Sequence, residues 1–109
     1  GENMKKVKIP ALAFSVRTSL FPVRLYDEKG KRIHETRASK KPEIVEVPDN
    51  TKFLAHFYQT TRGHRRVTIY TLTENGEWKV LIEYTEDDYE KIPDTEEVGR
   101  DARAWLESS

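Results

Sequence analysis

The stretch QTTRGHRR, residues 59–66, gathers Arg62, His64, Arg65 and Arg66 around a single glycine. A guanidinium offers a planar fork of donors that matches a phosphate or carboxylate in two-point contact. Gly63 permits a tight tip, and a β-ribbon ending in such a tip can enter a groove or clamp a phosphate backbone. Affinity of this kind ignores base sequence and falls steeply with salt. A second cluster lies in PVRLYDEKGKRIHE. If Asp27–Gly30 forms a bulged hairpin turn, Leu25 pairs with Ile33 on a buried side. The outer side then sets Arg24 opposite His34 and Tyr26 opposite Arg32. Arginine beside an aromatic ring suits phosphate contact with base stacking. The plainer reading is Arg32 lying over Tyr26 as a cation–π pair on a solvated face. Arg37, Lys40 and Lys41 in RASKKP form a third basic cluster.

Other chemistries find less support. His34, His56 and His64 lack metal-ligand spacing, and neither a phosphate-binding glycine loop nor a GxSxG elbow is present. The chain has no cysteine, which removes disulfides and thiolate chemistry and fits a reducing, cytoplasmic compartment. A metal-free hydrolase built on His56, His64 and Arg65 is the third-ranked reading. The acidic run Glu86-Asp87-Asp88-Tyr89-Glu90 lacks the glycine and spacing of a calcium loop. It reads first as a solvated linker and second as an internal partner for the basic loops. No cofactor is expected. No apolar run is long enough for a membrane helix, and no h-region of a secretory leader follows the amino terminus.

Charge is distributed unevenly. Residues 1–73 carry 15 Lys and Arg against 7 Asp and Glu, a net +8, whereas residues 74–109 carry 4 against 12, a net −8. Such asymmetry hints at nucleic-acid contact, and equally at two parts that neutralise each other within one fold.

The elements that must position these residues are mostly strands. Alternation and turn residues predict strands over 7–16, 21–26, 31–36, 43–47, 52–59, 66–73 and 78–84. In 52–59, Phe53, Ala55 and Phe57 share one face and Leu54, His56 and Tyr58 the other. Both faces should be partly buried, with Tyr58 the aromatic best placed near the arginine tip. Asn75-Gly76 signals a two-residue hairpin loop. That register faces Thr73 with Trp78, Thr71 with Val80, Ile69 with Ile82 and Val67 with Tyr84 on one core face. The other face carries Tyr70, Leu72 and Leu81 and needs a cover. Asp94-Thr95-Glu96-Glu97 reads as a helix start, and Val98, Ala102, Trp105 and Leu106 form a stripe. An amphipathic helix over 95–107, docked through Trp105, supplies the cover.

The expected fold is therefore mainly β. It is one antiparallel sandwich or partly open barrel of six or seven strands with a carboxyl-terminal helix. Residues 1–3 read as a cloning remnant, 4–85 as the β domain and 86–94 as an acidic linker. The expected function is a small non-enzymatic binding protein whose basic loops contact an anionic partner, nucleic acid first. The contact set is Arg62, His64, Arg65, Arg66, Arg24, Tyr26, Arg32, His34, Arg37, Lys40 and Lys41. The alternative is a protein-contact module that uses a sheet edge or the acidic carboxyl-terminal segment.

Overall fold

Strand β5 (Thr51–Gln59) explains the architecture, because its sequence is apolar on both faces and both faces are covered. It is the central strand of an antiparallel five-stranded sheet. Its companions are β2 (Pro22–Asp27), β3 (Arg32–Arg37), β6 (Arg65–Leu72) and β7 (Trp78–Thr85), in the order β3-β2-β5-β6-β7. Strands β1 (Met4–Ile9) and β4 (Glu43–Pro48) pair as a separate antiparallel ribbon. Among the described residues the one helix, α1, spans Thr95–Glu107. This computed structural model describes residues 3–12, 22–86 and 93–108. The fold is mainly β as expected, and the sheets do not close into a barrel.

Two cores lie on opposite faces of the large sheet. On one face Val23, Leu25, Leu54 and Leu72 pack against Val7, Ile9 and Val47 of the ribbon. On the other, Tyr26, Phe53, Ala55, Val67, Ile69 and Tyr84 pack against Val98 and Ala102 of α1. Alternation along each strand sorts residues between the two layers. The ribbon is tied down by side chains that reach backbone carbonyls. Trp78 Nε1 donates to the Lys8 carbonyl at 3.0 Å and Lys5 Nζ to that of Thr51 at 3.1 Å.

The Tyr70–Leu72 face is covered by the ribbon, and α1 lies on the opposite, Ile69–Tyr84 face, which corrects the expected placement of the helix. Its docking residues also differ. Val98, Gly99 and Ala102 are buried, whereas Trp105 stays 55% exposed. The cause is a backbone contact between Gly99 and Gly30 in the β2–β3 turn. A Cβ on either glycine would overlap the other's carbonyl oxygen. This contact draws the Gly99 side of the helix onto the sheet and swings Trp105 outward. Asp94 caps the helix as expected, its Oδ1 accepting from the N–H groups of Glu96 and Glu97 at 3.0 and 2.9 Å. Tyr26 donates its hydroxyl to the Thr95 carbonyl at 2.9 Å, and Tyr84 donates to Asp101 Oδ2 at 2.6 Å. Trp105→Ala should therefore change stability by less than about 1 kcal/mol, while Val98→Ala should cost about 2 kcal/mol, as read from thermal unfolding.

Strand registers depart from expectation at bulges. Asn75 does not adopt the positive φ that a two-residue Asn-Gly turn demands; only Gly76 does, at φ +80°. The turn takes one more residue, closed by Thr73 N–H to the Glu77 carbonyl at 2.7 Å, so Trp78 faces Leu72 rather than Thr73. Trp78 thus joins the ribbon side. A bulge between Ile69 and Tyr70 then restores the expected pairs Ile69–Ile82 and Val67–Tyr84. In the β2–β3 hairpin Tyr26 faces Arg32 as expected, but a bulge beyond it leaves Leu25 facing His34 and Arg24 facing Glu35. Strand β1 starts at Met4 and ends before Pro10, which has no N–H to offer a ladder. The rest of the expected first strand, over 13–16, lies outside the described residues.

Candidate anion-binding face

Antiparallel pairing decides which basic residues meet. Gln59 pairs with Arg65 at the β5–β6 turn, and the turn closes through Gly63 N–H to the Thr60 carbonyl at 2.9 Å. Strand β2 runs antiparallel to β5, so its first residues lie toward this same end, and Pro22 pairs with Arg37 at the end of β3. Arg24, Arg37, Arg62, His64, Arg65 and Arg66 thus collect at one end of the sheet. Arg24, Arg65 and Arg66 border one open depression of about 360 Å³ together with Phe57, Tyr58 and the start of α1. The Arg24 guanidinium lies 4.7 Å from the Phe57 ring centre, a cation–π stack. Arg66 Nε is buried and has no hydrogen-bond partner among the described residues.

Two carboxylates meet these cations. Glu35 Oε2 receives both Arg24 Nε and Arg32 Nη1 at 3.3 Å. Glu86 grips Arg65 twice, accepting its peptide N–H at 2.8 Å and its Nε at 2.7 Å. Those hydrogen bonds hold the Glu86 carboxyl below the usual carboxylate range. Glu86 is thus an internal partner of the tip rather than a solvated linker residue, whereas residues 87–90, the rest of the acidic run, lie outside the described residues.

The remaining expected contacts fall elsewhere. Tyr26 is buried beneath the helix start, and burial, the main cause, pushes its phenol well above its ordinary range. It is a core residue, and the cation–π pair in this region is Arg24 on Phe57 rather than Arg32 on Tyr26. Arg32 starts β3 but reaches back to share the Glu35 carboxylate with Arg24, and His34 lies on the ribbon side of that edge, both exposed. Lys40 and Lys41 are exposed too, but the loop leads to Pro42, which borders a depression with Gly76 and Trp78. That is the β6–β7 turn, about 25 Å along β6 from the arginine tip. The three basic clusters therefore do not form one zone; the first merges with part of the second, and Lys41 stands apart.

His56 is 2% exposed and stacks on Tyr58, ring centres 4.8 Å apart, while His64 is half-buried at the tip. Among the described residues no group of three or more acidic or histidine side chains is arranged to hold a metal ion, and no helix is long and apolar enough to cross a membrane. Comparison with known protein families, with curated proteins and with solved structures finds no match to this chain.

Sequence reasoning placed Phe57 in the core or half in it, did not foresee Glu35 as a partner, and ranked internal pairing of the acidic run with the basic loops second to a solvated linker. Glu86 had a usable signal, because the register that pairs Val67 with Tyr84 brings Arg65 alongside Glu86 when extended by one step on the same face.

Proposed function

We propose that the protein is a non-enzymatic binding module that grips the phosphate backbone of a nucleic acid at the β5–β6 end of its sheet. Arg66 carries this reading. Its Nε is buried without an acceptor among the described residues, and it borders the depression shared with Arg24 and Arg65. A buried donor left unpaired costs about 1–3 kcal/mol, and an anion that draws the Arg66 side chain outward would let it pair. Arg37 and Arg62 are exposed at the same end and extend the positive surface. Phe57 and Tyr58 supply rings beside the cations, the pairing that single strands use.

The test is fluorescence anisotropy of a labelled oligonucleotide across a salt series. Arg62→Ala with Arg66→Ala should weaken binding about tenfold at low salt and flatten the slope of log K against log salt by about 1.4. Lys40→Ala with Lys41→Ala, in the loop that leads to Pro42, should leave both nearly unchanged. Equal losses from the two pairs, or no binding by the unaltered protein at low salt, would remove the reading.

A second reading is a protein-contact module working through edge strand β7. Exposed Val80 (48%) and Trp105 (55%) favour it, as does an open depression of about 530 Å³ beside Trp105, walled by Ile82, Tyr84 and Ala104. Against it stand exposed Lys79 and Glu83 and the bulge at Leu81, devices that blunt a sheet edge. Salt-insensitive binding to a protein, abolished by Trp105→Ala, would establish it over the first.

A further inference from the structure

Glu86 sits on Arg65 in the manner of a ligand. One carboxylate oxygen takes the Arg65 peptide N–H at 2.8 Å and the other takes Nε at 2.7 Å. Two donors of one residue therefore converge on a single oxyanion, and a phosphate offers paired oxygens in a similar arrangement. The Arg65 side chain is 63% exposed and that of Glu86 33% exposed, so solvent and solutes reach the pair. The same arginine borders the depression that Arg24 and Arg66 also line.

We infer that Glu86 is an internal competitor of the anionic partner: its carboxylate occupies the Arg65 fork, and binding exchanges it for a phosphate. This rests on the phosphate-gripping reading above and adds its regulation. Exchange has a signature apart from affinity. A cation already neutralised by Glu86 has few condensed ions to displace on the nucleic acid without giving up that carboxylate, so its contact adds little to the salt dependence. Removing the Glu86 charge lets Arg65 meet a phosphate directly. Its contact then adds the full increment for one phosphate, about 0.7 on a single strand.

The experiment compares the unaltered protein, Glu86→Gln, Glu83→Gln, Arg65→Ala and the double variant Arg65→Ala with Glu86→Gln. The probe is a labelled oligothymidylate of about 20 nucleotides, long enough to span a single-strand site. Glu86→Gln should tighten binding about three- to tenfold and steepen the salt slope by about 0.7. Glu83→Gln removes the same charge three residues earlier, on β7, and should give less than half that gain. In the Arg65→Ala background, Glu86→Gln should do nothing, because the fork is gone. A Glu86→Gln variant that binds like the unaltered protein, or no better than Glu83→Gln, overturns the competitor. So does a gain that persists without Arg65. If Glu86→Gln is neutral while the Arg62 and Arg66 substitutions still abolish binding, only this inference fails. If no variant binds the probe, the phosphate-gripping reading fails with it.

Discussion

Gly99→Ala lowers the stability of the fold by about 2 kcal/mol, although alanine is the better helix former by about 1 kcal/mol. Gly99 lies in the first half of α1, where its backbone meets Gly30 of the β2–β3 turn. An added Cβ overlaps the Gly30 carbonyl oxygen and comes within 3.1 Å of Tyr26 Cδ2. A carbonyl held in a hairpin turn cannot rotate aside as a flexible side chain does. That turn is fixed by Asp27 Oδ1, which accepts the N–H groups of Lys29 and Lys31 at 2.9 Å. The helix must therefore lift, loosening Val98 and Ala102 from the core and lengthening the Tyr26–Thr95 hydrogen bond. Overpacking of this kind costs about 1–3 kcal/mol, and more against rigid backbone. Thermal unfolding should show a fall of about 8 °C. Gly30→Ala should behave alike, with added strain from its φ of +83°. A rise in melting temperature for Gly99→Ala, as propensity alone demands, would show that helix and turn do not touch.

Acid destabilises the protein through His56 before carboxylates begin to titrate. Its ring is 2% exposed on the ribbon side of β5, its Nε2 has no hydrogen-bond partner among the described residues, and burial lowers its pKa to about 4. The residues paired with it, Val23 and Thr68, carry no charge, and the Tyr58 ring stacks on it. The ordinary value in an unfolded chain is about 6.5, so the unfolded state takes up the proton first. The fold keeps this stability in full above about pH 6.5, loses it progressively as pH falls and has lost all of it below about pH 4. Two and a half pKa steps correspond to about 3 kcal/mol. Glu86 acts in a lower window: its pKa is depressed by the Arg65 hydrogen bonds, so its contribution is present above its ordinary value near 4.5 and fades below it. Urea unfolding at a series of pH values separates the two. The unaltered protein should weaken markedly between pH 6.5 and 4.5, and His56→Phe should remove most of that slope. A flat profile across this interval would mean that the imidazole is hydrated.

Element positions were largely legible in the sequence, and side-chain partners were not. Alternation located β2 to β7 within one or two residues, and Asp94 with the Val98–Ala102–Leu106 stripe located α1. Strand β1 was misplaced because Lys5, Lys6 and Lys8 mask the strand start beside Val7 and Ile9, which alone face the core. The bulges beside Leu25 and Ile69 are one-residue events that no alternation pattern marks. Each shifts a register, and a shift of one residue changes every partner across the ladder. That is why Arg24 meets Glu35 rather than His34. Trp105 looked like an anchor by size, yet two glycines with no side chain set the helix position. The convergence of Arg24, Arg37 and the tip follows from strand order, which no local pattern encodes. The separation of Lys41 follows from the path of a loop that crosses to Pro42.

Amide chemical-shift mapping tests the central claim most directly. A short single-stranded oligonucleotide is added at low salt to isotope-labelled protein. The account predicts that the largest shifts fall on residues 59–66, on Arg24 and Arg37, and on Glu86 as its carboxylate is displaced. Residues 40–41 and the Trp105 face should stay silent. Shifts centred on β7 and Trp105, or spread evenly over every exposed lysine and arginine, would contradict it.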